Sequence, residues 1–226
     1  MNQRHELAAF FGHIPASREW SQCQNTITDS NGKVHCKPDA YLGGNYTDPY
    51  CSKSQSLKID EEGCNCGPVP ESSLFPGYIE SDKLFYGRGP LHLSWNYNYL
   101  EIAEVLGVDL CSRPDLVVSE EAIGWASAFW FWTSITASTG KTSAISVAEG
   151  SYGGTLNAIK GDLECQTGMH SSDYLDEVIT RLDRYCNAAS TLGVDKLLEM
   201  DSCKNLRSLF DTCRNIGSCP ECRDFV

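Results

Sequence analysis

The sequence predicts a mainly α-helical domain with a disulfide-rich loop lobe and at most a small β element. Three observations lead there. Apolar residues recur at helical spacing through the second half, cysteines gather among turn-forming residues in the first half, and 226 residues at 41% hydrophobic content suffice for one sizeable core. One domain is therefore expected, and no internal repeat or low-complexity linker interrupts it.

In chain order, Met1 is followed by polar residues and then by an amphipathic segment from Glu6, with no long apolar leader, so the chain reads as a mature form or a fragment. From Cys23 to Pro76 the chain is rich in Gly, Pro, Ser, Asn and Asp and holds five cysteines, which predicts a cross-linked loop lobe with little regular structure. The small β element is expected near Leu84 to Ser94. Ile102, Ala103 and Leu106 form a helical stripe that Gly107 stops, and Glu120-Glu121 sit where acids favour a helix start. The following apolar run, Ala122 to Trp132, is far too short to span a bilayer. The clearest stripe is Leu175, Val178, Ile179, Leu182 and Tyr185, at i, i+3, i+4 and i+7 spacing, and Leu206, Leu209 and Phe210 make a last one.

Twelve cysteines, an even set spread over most of the chain, read as a disulfide framework made in an oxidising compartment, which points to secretion. Cys64-Asn65-Cys66 and Cys219-Pro220-Glu221-Cys222 admit a metal reading, but no second CxxC or paired histidines stand at zinc-finger spacing. Neither a metal nor a cofactor is expected. The sequon Asn45-Tyr46-Thr47 agrees with an extracellular surface loop. A net charge of −12 denies the chain the positive field that nucleic acid or an anionic membrane would require, so a neutral or cationic polymer is the better partner.

The most informative stretch is Phe85-Tyr-Gly-Arg-Gly-Pro-Leu-His-Leu-Ser-Trp-Asn-Tyr-Asn-Tyr99. Its glycines let backbone approach a ligand closely, and Trp, Tyr and Asn supply the flat apolar faces and amide groups that a sugar demands. Composition alone would equally allow a buried aromatic turn. The segment Tyr86 to Tyr99, however, closely resembles the YGRGPxQxSxNYNY signature of the family 19 chitinases. Further similarity lies in Glu6-Leu-Ala-Ala-Phe10, Gly107-Val-Asp-Leu110 with Pro114-Asp-Leu116, Phe129-Trp-Phe-Trp132, Leu163-Glu-Cys165 and Arg184-Tyr-Cys186. The resemblance covers roughly residues 6 to 203, so 1–203 reads as a chitinase-like domain and 204–226 as a Cys-rich extension packed on it.

The resemblance implies a two-lobed, lysozyme-like fold and inverting hydrolysis of chitin, the β-1,4-linked polymer of N-acetylglucosamine; a monomer is expected, though no residue pattern carries that expectation. Inversion needs one carboxylic acid to protonate the glycosidic oxygen while a second carboxylate activates water on the other face of the ring. Carried over, the water-holding serine is Ser94, and the sugar-contacting residues are Tyr97 and Asn98. His92 stands where the signature has glutamine and cannot present a donor and an acceptor as an amide does. The base is assigned to Glu19 in Ala16-Ser-Arg-Glu-Trp20, with Glu61 or Glu62 as alternatives. Lys160, in Lys160-Gly-Asp, replaces a family asparagine, and Glu164 is the Leu-Glu-Cys carboxylate, giving both a place at the substrate. The arginine that pairs with that glutamate falls on Val178 when counted back from Cys186, while Arg181 and Lys160 are alternative partners. Cys165–Cys203 and Cys51–Cys64 are the pairings the resemblance implies.

The main departure concerns the acid. In the family it belongs to a His-Glu pair at the end of the ELAAF helix, whereas this chain runs from Phe10-Phe-Gly-His13 straight into Ile14-Pro-Ala16. At about 3.6 residues per turn, roughly one and a half to two turns are missing, and Pro15 would end the helix early. His13 is readable as a substitute acid or as a structural residue. Three roles remain open on sequence: a chitinase whose acid segment is missing only because the sequence is fragmentary or mis-spliced, a chitinase-like protein that binds chitin without cutting it, and a disulfide-rich structural or inhibitory protein.

Overall fold

The computed structural model describes residues 3–17, 25–28, 32, 34–37, 85–94, 96–111, 113–136, 139–165 and 172–225. Eight α-helices are described: α1 (Gln3–Gly12), α2 (Asn96–Leu106), α3 (Leu116–Ser119), α4 (Glu121–Ser134), α5 (Ser143–Ala148), α6 (Tyr152–Glu164), α7 (Ser172–Thr191) and α8 (Leu206–Ile216). The only described sheet pairs β1 (Asn25–Thr28) antiparallel with β2 (Val34–Lys37), Asn25 opposite Lys37. The chain divides into two compact units, residues 15–129 and residues 1–14 with 130–226, the division falling within α4.

The β element expected near Leu84 to Ser94 is there a single antiparallel bridge between Arg88 and Leu93, and the regular hairpin lies instead inside the segment read as irregular loop. Gly32, at φ 80°, supplies the left-handed residue that a tight connection between β1 and β2 needs.

In the unit of residues 1–14 and 130–226, α7 is the central element, packed by α1, α6, α8 and the 3-10 turn Pro220–Cys222. Its expected stripe is largely buried: Val178, Leu182 and Tyr185 are inaccessible, although Leu175 at the first turns remains 37% exposed. Helix α1 presents the small residues Ala8, Ala9 and Gly12 as part of its buried face, so its backbone lies close to α7. A Cβ on Gly12 would stand 2.8 Å from Tyr185 Cβ and 3.1 Å from Tyr152 Oη, so this position requires glycine for contact rather than for conformation. The helix ends there as expected, and His13 N–H and Ile14 N–H cap the carbonyls of Phe10 and Phe11 at 3.0 and 3.1 Å.

Cys165 bonds Cys203, as the resemblance implies. Cys186 bonds Cys222 and Cys213 bonds Cys219, so both sulfurs of the Cys219/Cys222 pair are consumed in disulfides rather than offered to a metal. Cys51, Cys64, Cys66 and the Asn45 sequon lie outside the described residues. The bridges anchor α8, whose Leu206, Phe210 and Cys213 are buried and whose end is closed by Gly217 at φ 81°. No helix among the described residues is long and apolar enough to cross a membrane.

Candidate functional site

In the unit of residues 15–129, the turn that carries His92 and Ser94 is built around Arg88. Arg88 and Leu93 exchange backbone hydrogen bonds of 3.0 and 2.8 Å, and His92 N–H closes the turn on Gly89 O at 3.0 Å. Gly89 adopts φ 76°, and a Cβ there would meet Val117 Cγ1 at 2.8 Å, so both conformation and space exclude a side chain. The Arg88 guanidinium is fully buried, donating from Nε to Asp115 Oδ1 (2.7 Å) and from Nη1 to Tyr99 Oη (3.2 Å), and lies 3.6 Å from the centre of the Tyr86 ring. Tyr99 in turn donates to Tyr86 O at 2.8 Å. Burial pushes the Tyr99 hydroxyl up to about 12, against the pull of Arg88.

On this base the signature residues are placed. His92 has the left-handed φ of 51°, so its backbone is set by the turn. Ser94 is half-buried, and its hydroxyl has no hydrogen-bond partner among the described residues. Asn98, buried in the first turn of α2, donates from Nδ2 to Ser94 O at 2.8 Å. That bond fixes the serine backbone and leaves Oδ1 without a protein partner among the described residues. Tyr97 lies in α2 with its side chain outside the described residues, as are Glu19, Glu61 and Glu62.

The other unit holds a buried charge network centred on Arg181 of α7. Its Nε stands 3.5 Å from Glu164 Oε1 and its Nη2 3.2 Å from Glu177 Oε1. The partner of Glu164 is thus Arg181, while Val178, the position given by counting, is inaccessible core. Arg181, one turn on, reaches α6 from the edge of the same face. Glu164 is itself completely buried, and neither of its oxygens has a hydrogen-bond partner among the described residues, so only nearby positive charge offsets its own. Burial raises its pKa and the charges of Arg181 and Lys160 oppose that shift. Lys160 sits at a kink in α6, with φ −145° and ψ 35° inside an otherwise helical segment. Burial and Arg181 lower its pKa, with Glu164 and Glu177 acting the other way.

His13 completes this network. Thr155 Oγ1 donates its one proton to Tyr152 O at 2.7 Å, so at 2.8 Å from His13 Nε2 it can only accept. Nε2 is therefore the protonated nitrogen of a neutral ring, and Nδ1 is left to accept from Arg181 Nη1 at 3.2 Å. Burial, then the charge of Arg181, holds the His13 pKa well below its ordinary value. With both nitrogens committed and 1% of the residue exposed, His13 is structural and not a substitute acid. The carboxylate of α1, Glu6, is placed elsewhere, accepting from Trp132 Nε1 at 3.2 Å.

This burial has a pH consequence. An unfolded histidine takes up a proton below about 6.5 whereas the folded His13 resists it, so its contribution is whole above that pH and is lost as pH falls. Glu164, raised by burial, has the opposite slope, its contribution fading as pH rises through the carboxylate range. Thermal melts between about pH 7 and 5 should therefore fall less steeply for His13→Asn than for the unaltered chain, the interval being set by the ordinary histidine value. Parallel curves would contradict the neutral assignment.

Sequence reasoning missed the Arg88–Asp115–Tyr99 cluster and the link from His13 to Arg181. The available signal for the first was an arginine between two glycines in an aromatic-rich stretch; the second had none, because Thr155 and Arg181 are distant in sequence.

A mainly α-helical, cystine-bridged fold with a buried carboxylate–guanidinium pair in one unit and a Ser-Asn turn in the other defines a lysozyme-like class of protein. The family model described as chitinase class I matches residues 2–202, and the chain belongs to the family 19 chitinases. It is 33% identical over 221 residues to the basic endochitinase B of Arabidopsis thaliana, covering 91% of this chain and 56% of that one. It is 32% identical over 199 residues to the inactive chitinase-like protein 1 of Hevea brasiliensis, covering 82% of this chain and 55% of that one. The chain thus spans little more than half the length of these relatives. Among solved structures, a bacterial family 19 chitinase superposes with a TM-score of 0.55 at 28% identity, covering 88% of this chain and 78% of that one. Chitinase C from Streptomyces griseus gives 0.53 at 25% identity, covering 84% and 73%.

Proposed function

We propose that this chain binds β-1,4-linked N-acetylglucosamine chains and hydrolyses them far more slowly than a family member with a complete acid–base pair. The observation that carries this reading is the end of α1: it stops at Gly12, and the next side chain is a buried, neutral histidine with both ring nitrogens engaged. Inverting hydrolysis requires a protonated carboxyl for the leaving oxygen, and α1 offers none beyond Glu6. Its similarity to a protein called an inactive chitinase-like protein supports the same reading.

Ser94, Tyr97 and Asn98, with His92 beside them, are the proposed sugar-contacting residues of one unit, and Lys160 and Glu164 belong to the site in the other. Glu19 is the proposed base. The Ser94 hydroxyl and the Asn98 Oδ1, neither of which has a hydrogen-bond partner among the described residues, support this assignment, since a sugar's hydroxyl and acetamido groups need such partners. Residues 1–203 form the proposed glycan-binding domain and 204–226 an extension bridged to it, in a secreted monomer that engages neither nucleic acid nor membrane. The disulfides support secretion, and the charge of −12 supports the exclusion of nucleic acid and anionic membrane.

Calorimetry with a chitin hexamer tests the reading. The unaltered chain should bind, and Asn98→Ala should weaken binding by about 1 to 3 kcal/mol, through a lost sugar contact and a released Ser94 carbonyl. Absence of binding by the unaltered chain would overturn the proposal, and equal affinity in the variant would remove Asn98 from the site.

A further inference from the structure

The truncated end of α1 does not idle. We propose that His13 is a positioning residue that holds Arg181 against Glu164, so that the segment lacking the acid instead sets the charge state of the glycan site. This inference rests on the function proposed above.

The geometry fixes the imidazole on every side. Its ring stacks on Tyr152 at 5.2 Å and 15°, Tyr152 stacks on Tyr185 at 4.0 Å and 4°, and Trp132 lies 6.0 Å away. The bond to Thr155 sets its tautomer, and Gly12 pressed on Tyr185 sets the register of the chain that carries it. The ring cannot turn without breaking this arrangement. Arg181 Nη1 meets two acceptors from this one residue, Nδ1 at 3.2 Å and the His13 carbonyl at 3.4 Å.

The opposite edge of the guanidinium is held more loosely. Nε is 3.5 Å from Glu164 and makes no hydrogen bond, and Nη2 points at Glu177, which is 39% exposed. Without the acceptor at Nδ1, the guanidinium is free to follow the solvated Glu177 and leave Glu164. A fully buried carboxylate deprived of its counter-charge takes up a proton. Lys160 also lies close enough to favour the Glu164 anion, so the acceptor on His13 governs the larger of two counter-charges and not the whole of it.

Two conservative variants separate this role from packing. The side-chain oxygen of His13→Asn stands close to where Nδ1 is and keeps the acceptor for Arg181, whereas the longer amide of His13→Gln reaches toward Thr155 and keeps only that contact. Hexamer affinity should stay within about threefold of the unaltered chain for Asn and fall about tenfold or more for Gln, as when a hydrogen bond to a charged group is lost. The nitrogen resonance of Arg181 Nε, assigned by its disappearance in Arg181→Lys, should hold its position in the Asn variant and move in Gln. Equal affinities and an unmoved resonance in both variants would reduce His13 to packing and overturn the inference. If the unaltered chain binds no hexamer, the proposed function fails, and the resonance alone decides the role of His13. Should neither variant fold, the ring nitrogens of His13 in the unaltered chain decide: Nε2 should carry the proton and Nδ1 none, and a protonated Nδ1, which cannot accept from Arg181, would overturn the inference.

Discussion

Reducing ends should be released from a chitin hexamer by this chain at about a hundredth to a ten-thousandth of the rate expected with an acid present, the range that general acid catalysis contributes. Glu19 cannot fill both roles, because one carboxyl cannot remain ionised to activate water and stay protonated for the leaving oxygen. His13 cannot help, since its Nε2 proton is directed at Thr155 and the ring is closed off from solvent. Three proteins make the comparison: the chain as it stands, its Glu19→Gln variant, and a version with a family-like His-Glu segment inserted after Gly12. Insertion should raise turnover, and adding Glu19→Gln to it should abolish the gain. Turnover by the unaltered chain of about 1 per second or faster, a rate ordinary for enzymes, would show that another carboxyl supplies the proton.

The second large effect concerns stability. Arg181→Met should destabilise the fold by about 3 to 5 kcal/mol, because removing one member of a buried pair strands the other charge. Glu164 has no other cation in contact among the described residues and no hydrogen bond to fall back on. Adding Glu164→Gln should recover a large part of the loss, since an amide costs far less to bury than an unpaired carboxylate. Urea unfolding of the two single variants and the double variant gives the coupling directly. A loss below about 1 kcal/mol for Arg181→Met would place the pair among weakly contributing surface ion pairs and refute its burial.

The helices of the second half were legible because each buries one face and the burial writes a period into the sequence. Val178, Leu182 and Tyr185 follow it, and so do Leu206 and Phe210. Arg181 was legible too, in retrospect, as a charge set among those apolar positions: 178, 181, 182 and 185 share one face of α7, and a cation there needs a buried partner. Counting back from Cys186 pointed to Val178 because the count assumes that the family spacing is kept.

The hairpin was missed for a different reason. Its strands are only four residues each and the connection Asp29-Ser30-Asn31-Gly32-Lys33 dominates the local composition, so a turn signal was read as loop in general. The resemblance identified Ser94 and Asn98, but not that Asn98 holds the Ser94 carbonyl, which follows from the helical register of α2. Arg88 shows the limit of composition most plainly. An arginine between glycines suggests exposure, and only the convergence of Tyr86, Tyr99 and Asp115 makes a buried one tolerable.

The cystine pattern has a consequence for survival among proteases. Cys165–Cys203 and Cys186–Cys222 overlap, each spanning part of the other's loop, and Cys213–Cys219 lies inside the second. Breaking any one peptide bond between Cys186 and Cys222 therefore leaves both pieces covalently joined, and the exposed loops after α7 and around α8 can be nicked without shedding a fragment. Such a nick escapes notice on a non-reducing gel and shows only once the bridges are reduced. The molecule is built to tolerate cutting where its helices meet solvent.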